Sequence, residues 1–180
     1  RLRFVATSVP AGGIGVHTVE LAPHEEAAFS GGARPAPIDG AIALTYDADS
    51  ARVRVASGGS FSYTDVSRGI SHSGLGRLVD GGDRGDSYNY APPAHDLLVP
   101  RPSEITVDLL EDGPLRSRLR VTRVYAWPAA LSADRDLRDE RTVPTPVETL
   151  VEVRAGEPFV RVSTSFLNQS ADHRLRFHVP

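Results

Sequence analysis

The sequence contains no cysteine, no lysine and no methionine among its 180 residues. Without cysteine, a disulfide framework, a thiolate metal site and a cysteine nucleophile are all excluded. All 20 basic residues are arginine, and together with abundant alanine, glycine, aspartate and proline this usage is typical of a GC-rich bacterial genome. Because the chain does not begin with methionine, we expect further residues to precede Arg1 in the natural polypeptide.

Long apolar runs and clustered basic residues are also missing. No stretch approaches the roughly 20 apolar residues of a membrane-spanning helix, so no membrane partner is expected. The net charge is −3 and no basic face is evident, so no nucleic-acid partner is expected either. Arg3 interrupts the only apolar stretch near the start, which does not resemble a signal peptide. Localisation therefore stays open, with a cytoplasmic parent as the expectation for a bacterial protein.

Alternation of apolar and polar residues dominates the sequence and predicts an all-β fold. Three hairpins are predicted, each around a turn rich in polar residues or glycine. They pair Ile42–Tyr46 with Arg52–Val55, Ile105–Leu110 with Leu115–Trp127, and Val147–Val153 with Phe159–Leu167. In the middle hairpin we assign Leu115, Leu119 and Val121 to a buried face, and Arg116, Arg118, Arg120 and Arg123 to a solvated one.

Two segments carry weaker signals. Between Ala56 and Asp86 the apolar residues are too sparse for a firm strand assignment, and the charged segment Ala129–Arg141 predicts a solvated loop. The 14 prolines suit strand ends and loops rather than long helices. We therefore predict a single antiparallel β-sandwich domain over residues 1–180.

The richest polar constellation lies between Asp80 and Tyr90. Carboxylates and amides can bind sugar hydroxyl groups, and aromatic faces can cover the apolar side of a sugar ring. The candidate substrate-binding residues are Asp86, Tyr88, Asn89 and Tyr90. A surface loop whose polar side chains bond only their own turns explains the same composition. Calcium binding is a third alternative, but the EF-hand spacing is missing.

No arrangement of residues in this chain predicts a self-sufficient active site. The six histidines are not paired at metal-ligand spacings, and no G-x-S-x-G elbow occurs. No catalytic residue, metal ligand or bound cofactor is therefore assigned to the chain. Trp127 is interpreted as core or rim packing, with a sugar platform as the alternative. A structural brace is predicted from Asp83, Asp172, His173 and Arg174. For charged side chains of this kind, ion pairing is a commoner role than ligand binding.

The segment Asp83–Pro93, DRGDSYNYAPP, resembles the D-x-G-D-x-Y-x-[YF]-x-P segment of family 38 glycoside hydrolases. That family includes bacterial α-mannosidases and mannosylglycerate hydrolases. Further matches follow in the same order along the chain: Asp39-Gly40, Asp112–Arg116, Asn168 and Asp172–Arg176. The resemblance covers the chain from about Asp39 to its end.

The resemblance implies the C-terminal β region of such an enzyme, a supersandwich similar to galactose mutarotase. In this family the zinc ion and the aspartate nucleophile belong to an N-terminal barrel, so zinc is expected outside this chain. The implied partners are that catalytic barrel and a mannoside. In relatives, a tyrosine at the position that matches Tyr88 faces the bound mannose. Ser87 replaces the family's frequent glutamate. Because the family's sandwich continues beyond the position of Pro180, self-association through an open edge is also expected.

Three roles remain open at this point. The first is a non-catalytic domain that packs on the barrel and rims the sugar site of a zinc-dependent retaining α-mannosidase. The second is an independent carbohydrate-binding module, and the third is a purely structural sandwich.

Overall fold

A computed structural model describes residues 34–38, 41–46, 51–56, 58–113, 115–155, 157 and 159–180, with the backbone alone for 34–38, 41–46 and 51. The described residues form eleven β-strands and no helix. The strands are β1 (Arg34–Ile38), β2 (Ala41–Tyr46), β3 (Ala51–Val55), β4 (Phe61–Asp65), β5 (Ile70–Leu75), β6 (Arg77–Gly82), β7 (Glu104–Glu111), β8 (Arg116–Pro128), β9 (Thr142–Arg154), β10 (Arg161–Phe166) and β11 (His173–His178).

The strands form three antiparallel sheets. One has five strands in the order β1-β2-β3-β4-β5, a second has the order β10-β9-β8-β7, and β11 pairs with β6 as a two-stranded ribbon. The predicted all-β, antiparallel class is confirmed. The three predicted hairpins correspond to the pairs β2–β3, β7–β8 and β9–β10. The acidic turn at residues 47–50 and the Asp39-Gly40 pair lie outside the described residues.

The long strands β8 and β9 form the platform on which the other sheets pack. Each has 13 residues, and they pair in continuous register from Arg116 opposite Arg154 to Pro128 opposite Thr142. Side chains alternate between the two faces of a strand, so every second residue points inward. The residues at odd positions are the buried ones over most of both strands.

The first half of the β8–β9 platform faces the five-stranded sheet. Val53 and Val55 of β3, with Phe61 and Leu75, meet Leu119, Val121, Val151 and Val153 in one buried cluster. Burial of apolar side chains is the main favourable term in folding, at about 25 cal/mol for each Å² removed from water. This cluster therefore holds the two sheets face to face as a sandwich.

The second half of the platform faces the ribbon formed by β6 and β11. Leu78 of β6 packs against Tyr125, Trp127 and Val147, and Leu175 of β11 joins from the rim. Trp127, the only tryptophan in the sequence, is 0% exposed. Its predicted packing role is confirmed, and a role as an exposed sugar platform is excluded.

A single residue, Gly76, carries the chain from the five-stranded sheet into the ribbon. Its φ of +74° is a left-handed conformation that favours glycine. A Cβ at this position would stand 2.6 Å from Cε1 of Phe61. Gly76 also donates its N–H to the carbonyl of His178 at 3.0 Å. The corner between β5 and β6 therefore requires glycine for both conformation and space.

The fold assigns strands where the sequence allowed no firm assignment, and it corrects one expectation. The glycine- and serine-rich stretch from Ala56 to Asp86 contains three regular strands, β4, β5 and β6. Their hydrogen bonds to neighbouring strands compensate for weak apolar patterning. The interpretation of Arg123 as solvated is wrong, because it is 1% exposed and lies on the buried face of β8 with Leu119 and Tyr125.

The segment Ala129–Arg141 is irregular, as predicted, but only partly solvated. Ala129, Leu131 and Arg138 are buried within it. Backbone hydrogen bonds close the segment on itself, from Ala129 to Arg141 at 2.8 Å and from Asp139 to Ala130 at 2.9 Å. The segment therefore covers one end of the sandwich instead of extending into water.

Candidate functional site

The candidate loop, residues 83–91, leaves the end of β6 and is closed by hydrogen bonds at its base. The N–H of Arg84 donates to the carbonyl of Ala91 at 2.7 Å. One carboxylate oxygen of Asp83 accepts from the N–H groups of Gly85 and Ala91, at 2.9 and 3.0 Å. A Cβ at Gly85 would overlap the carbonyl of Asn89. Asp83 thus ties both arms of a tightly folded loop, and its side chain acts inside the loop.

Asp86 organises the tip of this loop. Its Oδ1 accepts the backbone N–H groups of Tyr88 and Asn89, each at 2.8 Å. These two hydrogen bonds hold the pKa of the exposed Asp86 carboxyl below its usual range. Asp86 is therefore ionised at neutral pH. No other residue in the described part of the chain donates a hydrogen bond to its Oδ2, which stays available to an outside donor.

The two tyrosines of the loop have different surroundings. Tyr88 is 93% exposed, so both faces of its ring are open to solvent. Tyr90 is 44% exposed, and the guanidinium carbon of Arg174 lies 4.3 Å from its ring centre. This cation–π contact covers one face of Tyr90. Of the predicted sugar-binding residues, Asp86, Tyr88 and Asn89 lie together at the exposed tip, and Tyr90 lies against β11.

Of the four predicted brace residues, Asp83 and Asp172 meet through a backbone hydrogen bond, and the side chains of all four have partners outside the set. Asp172 accepts the N–H of Asp83 through its carbonyl at 2.9 Å and pairs with Arg135 through its carboxylate at 3.3 Å. Arg174 stacks on Tyr90. The side chain of His173 points inward to Asp80. These contacts attach the base of the loop to β11 and to the 129–141 segment.

Asp80 is the centre of a buried polar network that was not predicted from the sequence. It is 0% exposed, and its Oδ2 accepts from Arg138 at 2.7 Å while its Oδ1 meets Nδ1 of His173 at 2.5 Å. Arg138 also donates to the carbonyl of Leu97 at 3.2 Å. A carboxylate inside the apolar sequence Leu78–Gly82 was the available signal, because a charge there is tolerated only when paired.

The outer nitrogen of His173 is occupied as well. Its Nε2 lies 3.1 Å from Oδ1 of Asn168, and that oxygen also accepts the N–H of Ser170 at 3.1 Å. Both ring nitrogens of His173 therefore face an oxygen atom within the fold. The network is structural and supports the loop from below.

The described ranges contain neither a cluster of metal-binding side chains nor a membrane-spanning helix. No group of three or more histidine, cysteine, aspartate or glutamate side chains there is placed to hold a metal ion. The loop does not fit a zinc site, since residues 83–91 offer only two carboxylates, Asp83 and Asp86, and no histidine or cysteine. In the same residues, no helix has the length and apolar character needed to cross a bilayer.

The fold and the loop together define an antiparallel β-sandwich with a rigid, aromatic-tipped polar loop at one end. This architecture is similar to part of an alpha-mannosidase from Enterococcus faecalis V583, with a TM-score of 0.69 and 20% identity. The similarity covers 73% of this chain and 17% of that one. A glycosyl hydrolase family 38 protein from Enterococcus faecalis matches with a TM-score of 0.66, 20% identity, and 73% and 18% coverage.

The chain therefore shares its fold with a region of family 38 glycosyl hydrolase chains and spans less than a fifth of their length. At this identity the likeness establishes the fold alone. No protein-family model matches the sequence, and no curated protein matches it significantly.

Proposed function

We propose that this chain is a non-catalytic β-sandwich region of a family 38 α-mannosidase-like glycoside hydrolase. In this proposal it packs on the catalytic barrel of the same polypeptide and contributes its 83–91 loop to the rim of the sugar site. The observation that carries the proposal is the shared fold with two family 38 chains, joined to the exposed position of Tyr88 at the loop tip.

The chemistry of the loop tip supports a rim role. The open ring of Tyr88 offers an apolar surface for the C–H face of a sugar, and its hydroxyl offers one donor and one acceptor. Oδ2 of the ionised Asp86 can accept from a sugar hydroxyl, a charge-assisted bond that is stronger than a neutral one. The backbone of the tip is already ordered by Asp86, which lowers the entropic cost of binding.

The proposal assigns the reaction itself to residues outside this chain. A zinc ion, an aspartate nucleophile and the retaining mechanism belong to the proposed barrel. The first test is an assay of this chain with an aryl α-mannoside, with and without a chelator. We expect no turnover. Chelator-sensitive turnover by the isolated chain would overturn its non-catalytic role.

The rim role is tested by substitutions in the longer polypeptide that carries this chain. Tyr88→Ala should lower kcat/KM for the aryl mannoside by about tenfold, which corresponds to about 1.4 kcal/mol of transition-state stabilisation. Tyr88→Phe removes the hydroxyl group and keeps the ring, so it distinguishes the contributions of the two groups to kcat/KM. Phe159→Ala is the matched control, because Phe159 is an exposed aromatic residue in the β9–β10 turn. If both alanine variants leave kcat/KM unchanged, Tyr88 has no role at the sugar site.

The exposed Tyr88 also fits an independent carbohydrate-binding module, which is the second candidate function. That function predicts saturable binding of methyl α-mannoside to this chain alone in a calorimetric titration. The rim proposal predicts a flat titration at millimolar sugar, because one side of a pocket contributes too few contacts for measurable affinity. Saturable binding lost in Tyr88→Ala would favour the module.

A further inference from the structure

A cleft of about 290 Å³ is lined by residues of the β3–β4 turn, of β6 and β8, and of the segment that leads into β7. Three arginines from separate elements line it: Arg77 begins β6, Arg101 lies before β7, and Arg123 comes from the middle of β8. The remaining walls are largely apolar and include Pro100, Pro102, Ile105 and Tyr125. No carboxylate belongs to this lining.

Arg123 is the unusual member of the set. It is 1% exposed, and arginine is almost never so fully buried unless it is paired with a negative charge. Its guanidinium donates to the carbonyl of Gly76 at 2.6 Å and to Oγ1 of Thr149 at 2.8 Å. Both acceptors are neutral. Its Nε has no hydrogen-bond partner within the described residues.

The other groups around the cleft add positive charge and no compensating negative one. Arg77 and Arg101 are exposed and form no ion pair with any described carboxylate. In contrast, the arginines on the outer face of β8 are paired, as Arg116 is with Glu111 and Arg120 is with Asp108. Burial raises the pKa of the Tyr125 phenol, while the nearby Arg123 opposes this shift. Tyr125 therefore stays neutral at physiological pH and does not neutralise Arg123.

We propose that this cleft binds a small organic anion, whose phosphate or carboxylate oxygens meet Arg123, Arg77 and Arg101. Planar guanidinium groups match the oxygen geometry of both anions, and a partly buried site strengthens each bond. The proline and isoleucine walls accommodate the apolar part of such a molecule. A bound oxyanion would supply the negative charge that Arg123 lacks within the described chain.

The cleft is separate from the 83–91 loop. Arg77 begins β6 and Asp83 follows its last residue, so the two sites are about 20 Å apart at roughly 3.3 Å per residue. The inference therefore does not rest on the proposed sugar-site role. Either of them can fail without the other.

Calorimetric titration of the full 180-residue chain with inorganic phosphate, and separately with benzoate, tests the proposal at low ionic strength. The variants are Arg77→Gln and Arg101→Gln, since both side chains are exposed and their loss should not impair folding. Arg52→Gln on β3 is the matched control, because Arg52 is also exposed but lies outside the cleft.

The expected result is saturable binding of at least one probe, weakened about tenfold in each cleft variant and changed less than about twofold in Arg52→Gln. Competition between the two probes would show that they share the site, and the tighter one identifies the phosphate or carboxylate class. The proposal is overturned if neither probe binds saturably. It is also overturned if all three variants bind like the parent chain, or if Arg52→Gln weakens binding as much as the cleft variants do.

Discussion

Asp80 and Arg138 lie 58 residues apart in sequence, and their side chains form a salt bridge of 2.7 Å while being 0% and 1% exposed. The pair joins β6 to the irregular 129–141 segment directly beneath the candidate loop. A buried pair is not automatically stabilising compared with an apolar one, but removal of one partner leaves an uncompensated charge. The loop therefore rests on an interaction that is sensitive to substitution.

Asp80→Asn should lower the free energy of unfolding by about 3–5 kcal/mol, because it leaves Arg138 buried without a counter-charge. Asp136→Asn is the control, since the Asp136–Arg84 pair has side chains that are 53% and 45% exposed. Its loss should cost less than about 1 kcal/mol. Urea unfolding followed by the emission of buried Trp127 measures both values. Equal losses in the two variants would contradict the role given to the buried pair.

His173→Phe should destabilise the fold by about 1–3 kcal/mol. Phenylalanine keeps the ring against Trp127, whose centre is 5.7 Å away, but leaves Oδ1 of Asp80 without its donor. His95→Phe is the control, because His95 is exposed, and its effect should stay within about 0.5 kcal/mol. The same urea titration applies. A His173→Phe variant as stable as the His95→Phe variant would show that the hydrogen bond contributes nothing.

Gly76→Ala and Gly74→Ala form a matched pair at the edge of the five-stranded sheet. Both residues have positive φ, +74° and +71°, so each substitution imposes about 1–2 kcal/mol of backbone strain. Only the Cβ at position 76 meets a neighbour, Phe61 at 2.6 Å, whereas nothing lies within 4 Å at position 74. Gly76→Ala should therefore be the less stable variant by a further 1–3 kcal/mol, roughly. Thermal unfolding monitored by circular dichroism checks the order, and a reversed order would contradict the overlap.

The order of the loop tip should depend on the ionisation of Asp86. Because the folded-state pKa of Asp86 is lowered, its contribution is complete above the ordinary value of 3.8 and is lost as the pH falls through the lowered value. The amide protons of Tyr88 and Asn89 should then shift upfield in NMR spectra as their acceptor is protonated. In Asp86→Asn these two amides should not respond over the same acid range. An unchanged titration in the variant would assign the response to another group.

Much of the strand pattern was predictable from local residues. Alternation with a period of two and polar turns between the runs correctly predicted the β2–β3, β7–β8 and β9–β10 hairpins. Both signals depend only on residues within a few positions of one another, so the local sequence is sufficient to recognise them. In the candidate loop, the turn chemistry of Asp83 and Asp86 is local in the same way. The sugar-binding role of Tyr88 stays a prediction.

Long-range pairing could not be deduced in this way. The ribbon of β6 and β11 joins Asp80 to Leu175, and its strands belong to segments far apart in the chain. Strand β6 has weak apolar patterning, and its pairing depends on the packing of both strands over Tyr125 and Trp127. The spacing of residues along the sequence does not show which distant strands will pair.

The amino-acid sequence alone decides that this chain is all-β, that it lacks cysteine chemistry, and where its local hairpins turn. The tertiary structure alone decides that Arg123 is buried and that Asp80 lies between Arg138 and His173. The physical reason is that alternation shows which residues share a face of a strand, but not what that face contacts. Whether that face meets water, an apolar layer or a distant charge depends on which sheet packs against it.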